Sequence, residues 1–445
     1  MSLLGIVAHF IDKDGKLQSV LLGLPRLRGL HTAENIATAL AEVIKKYQFD
    51  YKLGCLITDN ANNNDDLYNY FSQSLLVPKK ERLWCAGYII NLIVKALIYG
   101  KGVSKLERLL IGASDQVKFD LMRQKGFVGK VHNIVKYIMR SPGRREDFAE
   151  NQLNACIEDE LFDHAELLLI KDGGVRWNST YFMLRRALLL RKAIDKYLLA
   201  WRKPANDSYD LSQDALTDDD WKQVEQLVKI LKPFVSATKR MEGDANSPGV
   251  EGLYGALWES ITNIELLYQI LQRTQQNLKN ESDSFLKSGV NMAIQKMNKY
   301  FDKMKDESPY YFAAVILHPS LKRAYFRDKW KRWPQWWKHA ERCMETIFTD
   351  HINDQEDEED EEPVELQRRK VPCKFDDDSA DEYAQLLVVD ESLTSSRRSQ
   401  KRIKLASELD RYYDAGLELV KIRTDDGNEV NDVVPDPLTW WLKVG

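Results

Sequence analysis

The chain has 445 residues, 44% hydrophobic and 30% charged, which is enough apolar material for a sizeable core and excludes global disorder. Its formal net charge of -4 excludes a uniformly basic nucleic-acid coat, so any DNA contact must come from local patches. Five scattered cysteines without a CxxC pair argue against a disulfide scaffold and a zinc finger, and no run of 18 apolar residues exists to span a membrane.

The amino terminus lacks a basic region followed by an apolar stretch and a cleavage site, which speaks against secretion. Residues 3–11 (LLGIVAHFI) are a continuous apolar run that suits a buried strand. Asp12-Lys13-Asp14-Gly15 is a turn signal, and 17–24 (LQSVLLGL) reads as the second strand of a hairpin. Thr32 is a candidate N-cap with Glu34 in the first turn, and Ile36, Leu40, Val43, Ile44 and Tyr47 follow at helical spacing. Residues 53–58 (LGCLIT) form a short apolar strand running into Asp59. A helix is expected from about 65 to 75, and 82–87 reads as one more strand.

From about 100 to 345 the period is helical, with stripes at Leu184–Trp201, at Trp221–Leu231 after an N-cap signal at Thr217, and at 253–271. Residues 354–362 (DQEDEEDEE) carry eight acids in nine positions and, with the polar stretch up to about 400, read as a disordered linker. The run 397–404 (RRSQKRIK) is basic at five of eight positions, which fits a nuclear import signal, a tail on DNA or a solvated linker. Helical character returns at 406–421, and Trp440-Trp441 requires a body to pack against.

Three segments could carry chemistry. Thr58-Asp59-Asn60 puts a carboxylate at the carboxyl end of a buried strand, a usual place for a metal ligand and equally for a plain turn. Trp84-Cys85-Ala86-Gly87-Tyr88 taken alone is a strand end with a structural cysteine. Arg176-Trp177-Asn178-Ser179-Thr180, before a helix, could stack on a base and grip a phosphate, or anchor a core. The basic run 321–338 (LKRAYFRDKWKRWPQWWK) interleaves aromatics with seven Lys or Arg. It reads either as an amphipathic helix or as a phosphate-contacting surface through Lys322, Arg323, Lys331 and Arg332.

In this order and spacing the segments resemble the hAT superfamily of cut-and-paste DNA transposases, most closely the fungal type. Leu22-Gly23-Leu24 with His31-Thr32-Ala33-Glu34-Asn35, Tyr311 to His318-Pro319, and Asp436-Pro437-Leu438 add to the likeness. The resemblance implies an α/β part plus a large all-α part: a ribonuclease H-like sheet with a long helical insertion. Residues 1–100 would be the α/β part, 101–350 the helical insertion, 351–400 the acidic linker and 401–445 the start of a dimerisation region.

The family uses three carboxylates on two Mg ions. The resemblance makes Asp59 the remaining catalytic carboxylate and a weak metal ligand. It makes Asn60, Cys85 and Tyr88 motif positions, with Tyr88 where the family has histidine, and Arg176 and Trp177 the DNA grip. The first Asp, with the central strand that carries it, and a Ser-Glu-Arg glutamate are expected beyond both ends of the chain. Glu259, as a replacement, is set aside as an acid on a solvated helical face.

The expectation is therefore an incomplete sheet with its central first strand missing, and a transposase-like protein that is no enzyme and needs no cofactor. Its partners would be DNA and its own or related transposase chains, in the nucleus and away from membranes. The alternatives are an active transposase or nuclease completed by another chain or by a wrongly bounded gene, and a non-functional transposon remnant. Without strand 1, residues 3–11 should pair directly with 53–58 or be loosely held, leaving the α/β part the least stable part of the ordered chain.

Overall fold

Asp12 closes the first hairpin: its Oδ1 accepts from the backbone N–H groups of Asp14 (3.0 Å) and Lys16 (2.9 Å), while Gly15 takes the left-handed φ of 71° that the turn needs. Strands β2 (Ile6–Ile11) and β3 (Leu17–Gly23) pair antiparallel across it, and β1 (Ser2–Leu3) pairs with β4 (Arg26–Leu27). The computed structural model describes residues 2–49, 52–59, 64–75, 82–100, 102–159, 167–173, 177–204, 209–242, 256–280, 284–355, 386–387, 408–423, 429–434 and 436–444.

Two compact units divide the chain: the first holds residues 1–89, 236–266 and 299–445, the second 90–235 and 267–298. In the first unit Thr32 caps α1 (Ala33–Tyr47), its hydroxyl accepting from the Asn35 N–H at 3.3 Å. Ala37, Leu40 and Ile44 of α1 form a core with Ile6 and with Leu67 and Phe71 of α2 (Asn64–Leu75). Strand β5 (Leu56–Thr58) pairs in parallel with β6 (Arg82–Trp84).

The described sheets are four separate two-stranded ones, so of the two expected outcomes the direct pairing of 3–11 with 53–58 is not formed. Nor is 3–11 one buried strand. It breaks after Leu3, and Val7, Phe10 and Ile11 are exposed, as are Val20 and Leu21 on the facing strand. An unbroken apolar run looks the same whether both faces are covered or not, which is why the sequence misled. Residues 85–87 turn into α3 (Ala86–Tyr99) rather than extending β6.

The second unit is helical. Its helices include α4 (Val103–Leu110), α5 (Asp115–Arg123), α6 (Gly126–Ile138), α7 (Pro142–Asp159), α8 (Trp177–Leu189) and α9 (Arg191–Ala200). They are joined by parts of α3, α10 (Asp218–Glu242), α11 (Leu257–Asn277) and α12 (Phe285–Glu307). Val128, Ile134, Met183, Leu184 and Trp221 lie in its core. A buried carboxylate is held there: Asp214 accepts from Arg123 Nε (3.0 Å) and Asn133 Nδ2 (3.1 Å). Burial raises the Asp214 carboxyl above its ordinary range, and those donors pull it part of the way back.

The first unit continues through α13 (Tyr310–Ile316), α14 (Lys322–Lys329) and α15 (Pro334–Gln355). A helix at Glu408–Asp414, the antiparallel pair β7 (Leu419–Arg423) and β8 (Glu429–Val433), and a helix at Pro437–Val444 follow. Among the described residues of 406–421 the helix therefore covers only 408–414, and a strand begins at Leu419. The late segment grips the turn after α13. Tyr412 OH donates to the Ile316 carbonyl (3.1 Å), Trp441 Nε1 to that of Leu317 (2.9 Å), and the Val434 N–H to Ser320 Oγ (2.7 Å). The tandem tryptophans pack on Tyr412, whose ring lies 4.9 Å from Trp441 and 6.4 Å from Trp440, and Trp441 also reaches that turn. Among the described residues no helix is long and apolar enough to cross a membrane. The acidic run beyond Gln355 and the basic run 397–404 lie outside the described residues.

Candidate functional site

The parallel pair β5–β6 sets the register Leu56↔Arg82, Ile57↔Leu83, Thr58↔Trp84, and the Cys85 N–H donates to the Thr58 carbonyl at 3.2 Å. Asp59 and Cys85 thus follow adjacent strand ends on one edge, with Tyr88 in the first turn of α3. Asp59 is exposed; Cys85 and Tyr88 are half-buried. The edge is firmly anchored. Tyr311 OH accepts from the Trp84 N–H (2.7 Å) and donates to the Trp84 carbonyl (2.9 Å), and burial pushes its phenol pKa up. Arg82 (5.2 Å) and Lys303 (5.7 Å) both lie over the Trp84 ring.

Mg²⁺ demands hard oxygen ligands in near-octahedral array. One exposed carboxylate beside a thiol and a phenol does not fit that demand, and among the described residues no group of three His, Cys, Asp or Glu could hold a metal ion. Asn60 lies outside the described residues.

Glu259 corrects an expectation: it is 6% exposed in the first turn of α11, not on a solvated face. Its backbone carbonyl accepts from Asn263 Nδ2 at 2.8 Å, and Asn263 Oδ1 in turn accepts from Arg240 Nη2 at 2.8 Å.

Trp177 opens α8 and is 2% exposed, its ring edge-on to Phe234 at 6.5 Å. A ring covered by protein has no face to offer a base, so the stacking role expected of Trp177 gives way to that of a core anchor. The next residues fasten the helix start. Asp172, its side chain 3% exposed, accepts from Ser179 Oγ (2.7 Å), Thr180 Oγ1 (2.9 Å) and Tyr99 OH (3.2 Å). Arg176 lies outside the described residues.

The basic run 321–338 divides into two unlike halves. Lys322 is 1% exposed with φ 48°, and its Nζ donates to the carbonyls of Tyr412 (2.9 Å) and Ala415 (3.0 Å). Burial lowers its pKa to about 8, so the ammonium stays charged near neutrality. Arg323 is 9% exposed and lies over the Tyr413 ring at 4.3 Å. Both cations fasten the Glu408–Asp414 helix, which corrects their expected place on phosphates.

Lys331 and Arg332 are exposed in the turn between α14 and α15. Beside them Trp333 is 40% exposed, and Lys338 is exposed on the first turns of α15. The residue list drawn from sequence omitted Trp333 and Lys338. The signal for them was Pro334, which favours the first helical position and so marks the start of a second helix after α14 has ended at Lys329.

Two adjoining family models match the chain: the ZBED1 RNase-like domain over residues 1–88 and the ZBED1 RNase-like helical domain over residues 83–230. A Talaromyces stipitatus protein described as a transcriptional regulator, tpeD, is 30% identical over 247 residues, covering 53% of this chain and 27% of its own length. A Zea mays protein described as an AC transposase is 26% identical over 246 residues, 54% of this chain and 26% of the relative. The Oryza sativa zinc finger BED domain-containing protein RICESLEEPER 2 is 22% identical over 318 residues, 71% of this chain and 38% of the relative. The chain thus spans between about a quarter and two fifths of the length of these relatives.

Proposed function

Because the chain is a hAT-type transposase-like protein, we propose that it holds DNA without performing strand transfer. The observation that carries this reading is the edge at β5 and β6, where among the described residues one exposed carboxylate, Asp59, follows β5, with Cys85 after β6 and Tyr88 in the first turn of α3. Two-metal phosphodiester attack needs several carboxylates to hold the ions that activate the attacking oxygen and stabilise the leaving one. A phenol with an ordinary pKa near 10 does not replace an imidazole as a proton carrier at neutral pH.

The DNA-holding half of the proposal rests on Lys331 and Arg332, the exposed members of the expected DNA-binding set among the described residues. Action on DNA implies residence in the nucleus, alone or with related transposase chains. A gel-shift series on duplex DNA across salt concentrations tests the binding. Affinity should fall log-linearly with salt, by a slope of about 0.9 per neutralised phosphate. Binding that ignores salt, or no binding to either duplex or single-stranded DNA, would overturn it.

A further inference from the structure

Trp333 ends a column of rings. Its side chain stacks on Trp336 with centroids 5.3 Å apart and planes 18° from parallel. Trp336 is held from behind by Phe301 (5.6 Å) and by the buried Trp330 (5.9 Å), whose Nε1 donates to Glu265 Oε2 at 2.8 Å. Backbone bonds from the Trp333 N–H to the Trp330 carbonyl (2.8 Å) and from the Trp336 N–H to the Trp333 carbonyl (2.9 Å) lock the turn. The outermost ring is therefore fixed in place yet 40% exposed, a flat apolar face that meets little loss of rotamer freedom when something stacks on it.

Along the chain the charge beside this ring has one sign, and on the neighbouring α12 the exposed Asp302 and Asp306 are paired with Lys305 (3.5 and 3.3 Å). No acid lies between Asp328 and Glu341, and both of these are engaged: Asp328 with Lys329 (3.0 Å) and Glu341 with Arg327 (2.6 Å). Lys331, Arg332 and Lys338 are exposed, with no ion pair to an acid among the described residues. A preset aromatic face amid unneutralised cations fits a polyanion whose flat groups are free to stack, which is an unpaired nucleic-acid strand. In a duplex the base faces are already covered by their neighbours.

We propose that the turn Lys331–Pro334 with Lys338 is a single-strand docking platform: an unpaired base extends the Trp333–Trp336 stack while Lys331, Arg332 and Lys338 contact the flanking phosphates. This deepens the DNA-holding reading and rests on it, adding the strand state and the stacking residue.

Fluorescence anisotropy on the full chain, with a labelled mixed-sequence 20-mer single strand and the matching duplex, tests it. Trp333→Ala should weaken single-strand binding about tenfold and change duplex binding little. Trp333→Tyr should restore most of the loss, and unchanged melting curves should show that both variants fold. The double change Lys331→Gln, Arg332→Gln should weaken both ligands and lower the single-strand salt slope by about 0.7 per cation removed. If wild type binds DNA but Trp333→Ala binds the single strand as tightly, the platform is wrong while DNA holding stands. Wild type that binds neither DNA overturns both readings, as does binding only to anionic lipid vesicles.

Discussion

Trp177 and His318 show how burial decides what a side chain does. Replacing the 2% exposed Trp177 with alanine deletes a core ring at the start of α8 and should cost about 3–5 kcal/mol of stability, read as a lower melting temperature. DNA affinity of the folded fraction should not change; weakened DNA binding at unaltered stability would return Trp177 to a contact role. His318 is 1% exposed, with its Nδ1 accepting from the Ser320 N–H at 3.2 Å, so it must be neutral to serve as an acceptor.

Burial, only partly opposed by the backbone at Val434, lowers the His318 pKa from 6.5 to about 3. Between those values the unfolded chain binds a proton that the folded one does not, so stability is lost as pH falls below about 6.5. Melting temperatures at pH 7.5 and 5.0 check this. The drop should shrink in His318→Gln, and an equal drop in both would assign the effect to other groups. Asp59 was legible as the residue that follows a short apolar strand, whereas Cys85 and Tyr88 entered through the family resemblance, and residues 82–87 did not show from their pattern that the strand ends at Trp84. Burial of Lys322 and Arg323 was not, because the covering residues Tyr412, Tyr413 and Ala415 lie about ninety positions away.

Helix packing sets the tolerance of whole elements. In α6 a Cβ on Gly129 would meet the Met122 carbonyl oxygen at 1.7 Å, and in α12 a Cβ on Gly289 would meet that of Leu97 at 2.2 Å. Gly→Ala inside a helix ordinarily stabilises by about 1 kcal/mol. Here both changes should destabilise instead, by about 1–3 kcal/mol through overpacking, in denaturant titrations. A gain in stability would show that the helices separate freely.

The hairpin β2–β3 stands at the other extreme, with Val7, Phe10, Ile11, Val20 and Leu21 exposed. Hydrogen exchange should be faster in 3–11 and 53–58 than in the helices of 180–300, and slower exchange there would contradict it. Local chemistry made the Asp12–Gly15 turn and the caps at Thr32 and Thr217 legible: the Thr217 hydroxyl accepts from the Asp220 N–H at 3.1 Å. Breaks within a hydrophobic stripe, such as the one between α8 and α9 at Leu190, leave no comparable mark in the pattern.

At the scale of the whole molecule, the order of motifs carried the family and the period of the helices carried the large all-α part. Strand pairing was the least legible level, because it depends on which edges meet rather than on any one segment. The central claim, a transposase-like chain that grips DNA without cutting it, is tested most directly by incubating the purified chain and Asp59→Ala with end-labelled DNA carrying terminal inverted repeats. Mg²⁺ or Mn²⁺ is supplied, and products are resolved on a denaturing gel. The expected result is no nicked or joined product from either protein. Cleavage by the wild-type chain that disappears in Asp59→Ala would contradict the claim.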